Sequence, residues 1–96
     1  MLKFTSINQV NPEKNSSKTR LQNFNEIYSS FARKKAEEQA SRCSQCGIPF
    51  CQVHCPLQNN IPDWLKLTAE DRLEEAYQIS SATNNMPEVC GRICPQ

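Results

Sequence analysis

The chain has 96 residues, of which 38% are apolar and six are cysteine. A domain this small buries a thin core, so something besides hydrophobic burial is expected to hold it together. Eleven Lys and Arg against ten Asp and Glu leave a net charge of +1, which removes the electrostatic argument for nucleic acid or an anionic membrane as a partner.

The opening MLKFTSINQV lacks both the run of roughly 7–15 apolar residues and the small-residue cleavage site of a secretory signal. No stretch approaches the roughly 18 apolar residues of a membrane span. These features predict a cytoplasmic protein, where cysteines stay reduced unless they bind something; in a secreted chain the same count would suggest disulfides. Residues 1–20 are polar, rich in Asn, Ser and Lys, and read as an extended N-terminal arm.

The helical domain is taken to begin at residue 21 and run to residue 96. Leu21, Phe24, Ile27, Tyr28, Phe31, Ala32 and Ala36 recur at spacings of three and four, predicting a helix that opens near Asn23 and Glu26 and ends near Ser41. Arg33, Lys34, Lys35, Glu37 and Glu38 supply its wet side, and the Arg33 to Lys35 run is either a solvated face or a docking surface. Between Cys43 and Asn60, Gly47, Pro49 and Pro56 predict a loop wrapped around a ligand. Pro62 suits the first turn of a next helix, whose Trp64, Leu65 and Leu67 read as core. Thr68 with Asp71 resembles a second cap, opening a helix to about Ser81 with Leu73, Ala76, Tyr77 and Ser80 along one side. Pro87 and Gly91 are expected to end regular structure before Cys90 and Cys94. With no period-two alternation anywhere, the fold class expected is all-α, a small helical domain with cysteine-bearing loops.

The spacing from Cys43 through Cys46, Cys51 and Cys55 to Pro56 is C-x2-C-x4-C-x3-C-P. Ferredoxins use a similar run ending in Cys-Pro, in which three cysteines grip one 4Fe-4S cluster and the last reaches to another. A cubane has several iron corners, and a short loop meets only some of them before the chain turns away. Cys94 with Pro95 repeats the Cys-Pro ending and is the distant candidate. The spacing leaves alternatives open: a zinc site completed by Cys51, His54 or Cys55, or plain thiols. A thioredoxin-like dithiol is disfavoured, because Cys43 and Cys46 lack a strand-then-helix setting. His54 reads as solvent-facing or as a hydrogen-bond donor to a cluster sulfur, and Arg42 and Arg92 as charges that offset thiolate-ligated clusters.

The segments CSQCGIPFCQVHCPLQNNIPDWLKL and TNNMPEVCGRICP resemble the N-terminal iron-sulfur domain of glutamate synthase small (beta) subunits, a module also shared with dihydropyrimidine dehydrogenase. The resemblance spans roughly residues 24–96, with CGIPFC, NNIPDW and TNNMPE as its most specific parts. It implies an all-helical domain with two 4Fe-4S clusters, ahead of FAD and NADPH-binding domains. Electrons would pass from NADPH through FAD and the clusters to the FMN of a large subunit, where glutamine and 2-oxoglutarate become glutamate. By motif position Cys43, Cys46 and Cys51 would hold one cluster, while Cys55 and Cys94 would belong to the other. Cys90 falls at a position read as non-ligating.

The resemblance also implies further cysteines after the second Cys-Pro, where this sequence has only Gln96, so the chain reads as a piece of a longer protein. No G-x-G-x-x-G nucleotide fingerprint exists among its two glycines, so FAD and NADPH would belong to the missing part. Expected partners are a large subunit or the flavin domains of the parent chain. The chain alone would be an electron-transfer module rather than a catalyst. The competing expectation is a zinc-bound or metal-free fragment that docks a large subunit without redox chemistry.

Overall fold

The computed structural model describes residues 1–95. Among them lie a 3-10 turn at Lys3–Thr5 and six α-helices: α1 Ser17–Arg20, α2 Arg33–Ala40, α3 Phe50–Val53, α4 Ile61–Ala69, α5 Leu73–Ser81 and α6 Pro87–Ile93. The all-α expectation holds: strand pairing among these residues is confined to an isolated antiparallel bridge between Lys14 and Tyr28.

The α4–α5 hairpin forms the frame, and α2 and α3 both pack on α4. Pro62 stands in the first turn of α4 as expected, where its missing N–H leaves no hydrogen bond unmade. The predicted cap at Thr68 and Asp71 is instead the end of α4. The Thr68 hydroxyl donates back to the Trp64 carbonyl at 2.7 Å, and Asp71 adopts a left-handed φ of 63°. Asp71 N–H then reaches the Thr68 carbonyl and Arg72 N–H the Leu67 carbonyl at 2.9 Å, the paired bonds of a Schellman stop. Asp71 stands where glycine is usual and gains a partner there, since its side chain forms an ion pair with Arg33 of α2. Arg33 is thus committed to the α4–α5 turn, although it was read as part of a solvated or docking run.

One polar side chain locks the hairpin. Asn59 is 8% exposed; its Oδ1 accepts from Trp64 Nε1 at 2.9 Å, and its Nδ2 donates to the Ser80 carbonyl at 2.7 Å and to Thr83 Oγ1 at 3.3 Å. The loop before α4, the α4 indole and the end of α5 therefore meet at one amide. Apolar burial around it is slight: Ala40 and Ala76 are the buried hydrophobic residues besides Pro62, and Trp64, Leu65 and Leu67 are half-buried. The radius of gyration is 14.5 Å, larger than the roughly 12.5 Å of a compact chain of this length.

Two expected features are overturned. The helix predicted to open near Asn23 starts only at Arg33, because the first part of the apolar stripe is left uncovered: Leu21 is 88% exposed and Phe24 109%. Local side chains also capture the backbone there. Asn23 Oδ1 accepts from Asn25 N–H at 3.0 Å, and the Glu26 carboxylate accepts from the N–H groups of Ile27 and Tyr28. At the other end, Pro87 begins α6 rather than ending regular structure, again by occupying a first-turn position, and Gly91 lies within that helix.

The N-terminal arm is tied to the rest by its backbone. Leu2 N–H donates to the Cys43 carbonyl at 2.8 Å and Lys3 N–H to the Ser41 carbonyl at 3.1 Å. The Gln39 side chain bonds both Val10 N–H and the Asn8 carbonyl, and Arg42 Nε donates to the Ile7 carbonyl. Farther along, the Glu13–Asn15 stretch pairs with Ile27–Ser29, and Glu26 forms an ion pair with Arg92 of α6.

Replacing Asn59 by Ala strands the Trp64 indole N–H and should lower stability by about 2 kcal/mol, read as a lower urea midpoint. Trp64→Phe, which removes one of the three bonds, should cost less. Equal midpoints for N59A and the unsubstituted protein would mean the amide does not lock the hairpin.

Candidate iron-sulfur centre

The α2 helix ends at Ala40, and Ser41, buried and hydrogen bonded to the Glu38 carbonyl, turns the chain into the cysteine loop. Cys43 is half-buried, Cys46 exposed and Cys51 half-buried in the first turn of α3. The α3 helix departs from the expectation of an irregular loop throughout residues 43–60. Pro49 precedes it with extended dihedrals and no N–H to lose, which positions Cys51 on a helical turn rather than a free strand of loop.

Burial pushes the Cys51 thiol above the ordinary cysteine range, and the neighbouring Cys43 and Cys46 thiolates push it further. The three sulfurs lie within Coulombic range of one another, and ionising all of them in an empty site is unfavourable. That is the chemical fit to an iron-sulfur cluster: a polycation with several corners relieves the repulsion and accepts a thiolate at each. Among the described residues no three His, Cys, Asp or Glu side chains converge as tightly as a single metal ion requires. A cubane needs less convergence, because its irons stand apart from one another.

The other predicted ligands lie elsewhere. Cys55 is half-buried just beyond α3, and its carbonyl accepts Gln58 N–H at 2.9 Å, closing a turn in which Gln58 has a left-handed φ of 47°. Cys94 is exposed and caps α6 one helical turn after half-buried Cys90, whose carbonyl its N–H reaches at 2.9 Å. Cys43, Cys46 and Cys51 thus lie within Coulombic range of one another, but among the described residues neither they nor Cys55 and Cys94 form a convergent group of three.

His54 is exposed and stacks on Phe50, with ring centroids 5.7 Å apart. Arg42 and Arg92 bond the Ile7 carbonyl and Glu26 respectively, so both are engaged away from the cysteines. Sequence reasoning passed over Gln45. This residue has a left-handed φ of 51°; its Nε2 donates to Cys43 Sγ at 3.4 Å and to the Pro62 carbonyl at 2.7 Å. The only signal in the sequence was its place between two ligand cysteines, which does not reveal where an amide points.

Short helices with cysteines on them and in the loops between them make up, as a class, a small cysteine-ligated domain. The chain belongs to the family described as dihydropyrimidine dehydrogenase domain II, 4Fe-4S cluster, which it matches over residues 20–96. That membership decides among the alternatives left open by the spacing in favour of iron-sulfur over zinc or plain thiols. The chain is 65% identical over all 96 residues to a glutamate synthase (NADPH) small chain from Azospirillum brasilense. It is 48% identical over 93 residues, 97% of this chain, to the small chain from Escherichia coli (strain K12). A Bacillus subtilis (strain 168) small chain is 36% identical over an alignment covering 96% of this chain. In each case the chain spans about a fifth (20%) of the relative's length.

In the metal-free protein, iodoacetamide should label exposed Cys46 and Cys94 before Cys51, because a raised thiol pKa leaves less thiolate at a given pH. Peptide mass spectrometry should show Cys51 labelling still accelerating above the ordinary cysteine range. Labelling of Cys51 first at neutral pH would contradict the electrostatic picture.

Proposed function

We propose that this chain is the electron-relay part of an NADPH-dependent glutamate synthase small chain, with residues 1–20 as an arm and 21–96 as the cluster-bearing unit. The observation that carries the reading is 65% identity along the whole chain to a protein named for that activity, in a family named for its 4Fe-4S cluster. Cys43, Cys46 and Cys51 are the ligands of one cluster, and Cys55 and Cys94 are ligands of a second. In support, Cys43 and Cys46 both oppose ionisation of Cys51, so the three sulfurs lie within Coulombic range. Bound at these thiolates, a 4Fe-4S cluster accepts and releases single electrons.

The two electrons of a hydride from NADPH would reach FAD in the remainder of the small chain. They would then pass one at a time through this unit to the flavin of a large subunit, where glutamine and 2-oxoglutarate yield glutamate. The residues here act by ligating, orienting and covering; none is a general acid, base or nucleophile. Trp64, Leu65 and Leu67 stand half-buried on α4, against which α3, the helix of Cys51, packs. Free thiols of this kind suit the reducing cytoplasm. No helix among the described residues is long and apolar enough to cross a membrane.

Replacing Cys55 by Ala in the full-length protein should remove one cluster, cutting iron and acid-labile sulfide in parallel and stopping NADPH-dependent glutamate formation while the other cluster remains. Iron per chain equal to that of the unsubstituted protein would remove Cys55 from the ligand set. Stoichiometric zinc in place of iron in anaerobically purified protein would overturn the electron-relay reading altogether.

A further inference from the structure

We propose that Gln45 is a positioning residue for the Cys43 thiolate, and that its side-chain amide raises the reduction potential of the cluster bound there. The proposal rests on the reading of Cys43 as a ligand. Gln45 approaches Cys43 Sγ from two directions: its backbone N–H at 3.5 Å and its side-chain Nε2 at 3.4 Å. The same Nε2 donates to the Pro62 carbonyl at 2.7 Å. Both partners are acceptors and the amide nitrogen carries two hydrogens, so the NH2 group serves both at once and its orientation follows from the network.

This side chain is held firmly. Pro62 is buried in the first turn of α4, the helix whose Trp64 bonds Asn59, so the amide is anchored to the α4–α5 hairpin. The backbone at Gln45 is left-handed, a conformation that residues with a Cβ hold only when their surroundings require it. The twist turns the backbone N–H back toward Cys43 Sγ while the side chain spans to α4.

Reduction of the cluster adds one electron, and part of the added negative charge rests on the ligand sulfurs. Fixed N–H dipoles aimed at a sulfur stabilise the reduced state more than the oxidised one and raise the potential. Removing one donor should therefore move the midpoint negative. Gln45→Met keeps side-chain length and the backbone donor but deletes the amide; Gln45→Glu sets a carboxylate against the sulfur.

The test uses the full-length protein, purified anaerobically and titrated with dithionite and mediators while the reduced clusters are followed by electron paramagnetic resonance. Q45M should retain iron and sulfide and show one midpoint shifted negative, with a larger negative shift in Q45E and the second cluster unmoved. Retained iron with unchanged midpoints would overturn the proposal. Resonance Raman of the unsubstituted protein adds a measurement that needs no variant: iron-thiolate stretching bands that do not move on exchange into D2O would also overturn it. Cys43→Ala separates the two readings. Full iron in C43A means Cys43 is not a ligand, whereas iron loss in C43A with unmoved midpoints in Q45M refutes the role of Gln45 alone.

Discussion

A single carboxamide holds the frame of this protein. Asn59 is buried, and its bonds to Trp64, Ser80 and Thr83 join the loop before α4, the α4 helix and the end of α5. Part of what positions the cysteine loop is referred to that junction. The α4 helix starts immediately after it, the Pro62 carbonyl anchors Gln45 from it, and the turn after α4 receives Arg33 from α2. Because the amide fills both its donor and its acceptor capacity inside the fold, it specifies one register between α4 and α5 where sliding would strand a buried polar group.

The cysteine loop is organised for a guest. A Cys51 thiol whose ionisation is opposed by burial and by two nearby sulfurs suits an empty protein poorly and a cationic cluster well. In small ligand-rich domains, ligand binding and folding are commonly one equilibrium. The N-terminal segment takes part in this organisation, since the carbonyls of Ser41 and Cys43 receive their partners from Lys3 and Leu2. The entrance to the loop is thereby fixed from two sides, by α2 behind it and by the arm across it.

What the sequence disclosed and what it concealed divide along a physical line. The all-helical class, the α4 start at Pro62 and the cysteine spacing were legible because each depends on residues a few positions apart. The same local logic misled at Leu21–Ala32, where three-and-four spacing marks a helix only if something covers the stripe, and at Pro87, which can close one segment or open another. It misread Thr68 and Asp71 as a start because cap and stop use the same short polar residues; a partner 38 positions away, Arg33, is part of what commits Asp71 to a stop. Asn59 and Gln45 were hidden for a related reason. Their bonds span 21 and 17 residues, and nothing in a local pattern says where a carboxamide will point.

The scarcity of buried apolar surface, with Ala40 and Ala76 in the place of a larger core, also shapes the thermal behaviour of the chain. The heat-capacity increment of unfolding comes mainly from apolar surface newly exposed to water. A fold held by carboxamides, ion pairs and ligand bonds exposes little of it, so the free-energy curve against temperature is broad and shallow. Such a domain has no sharp temperature optimum and little tendency to cold denaturation.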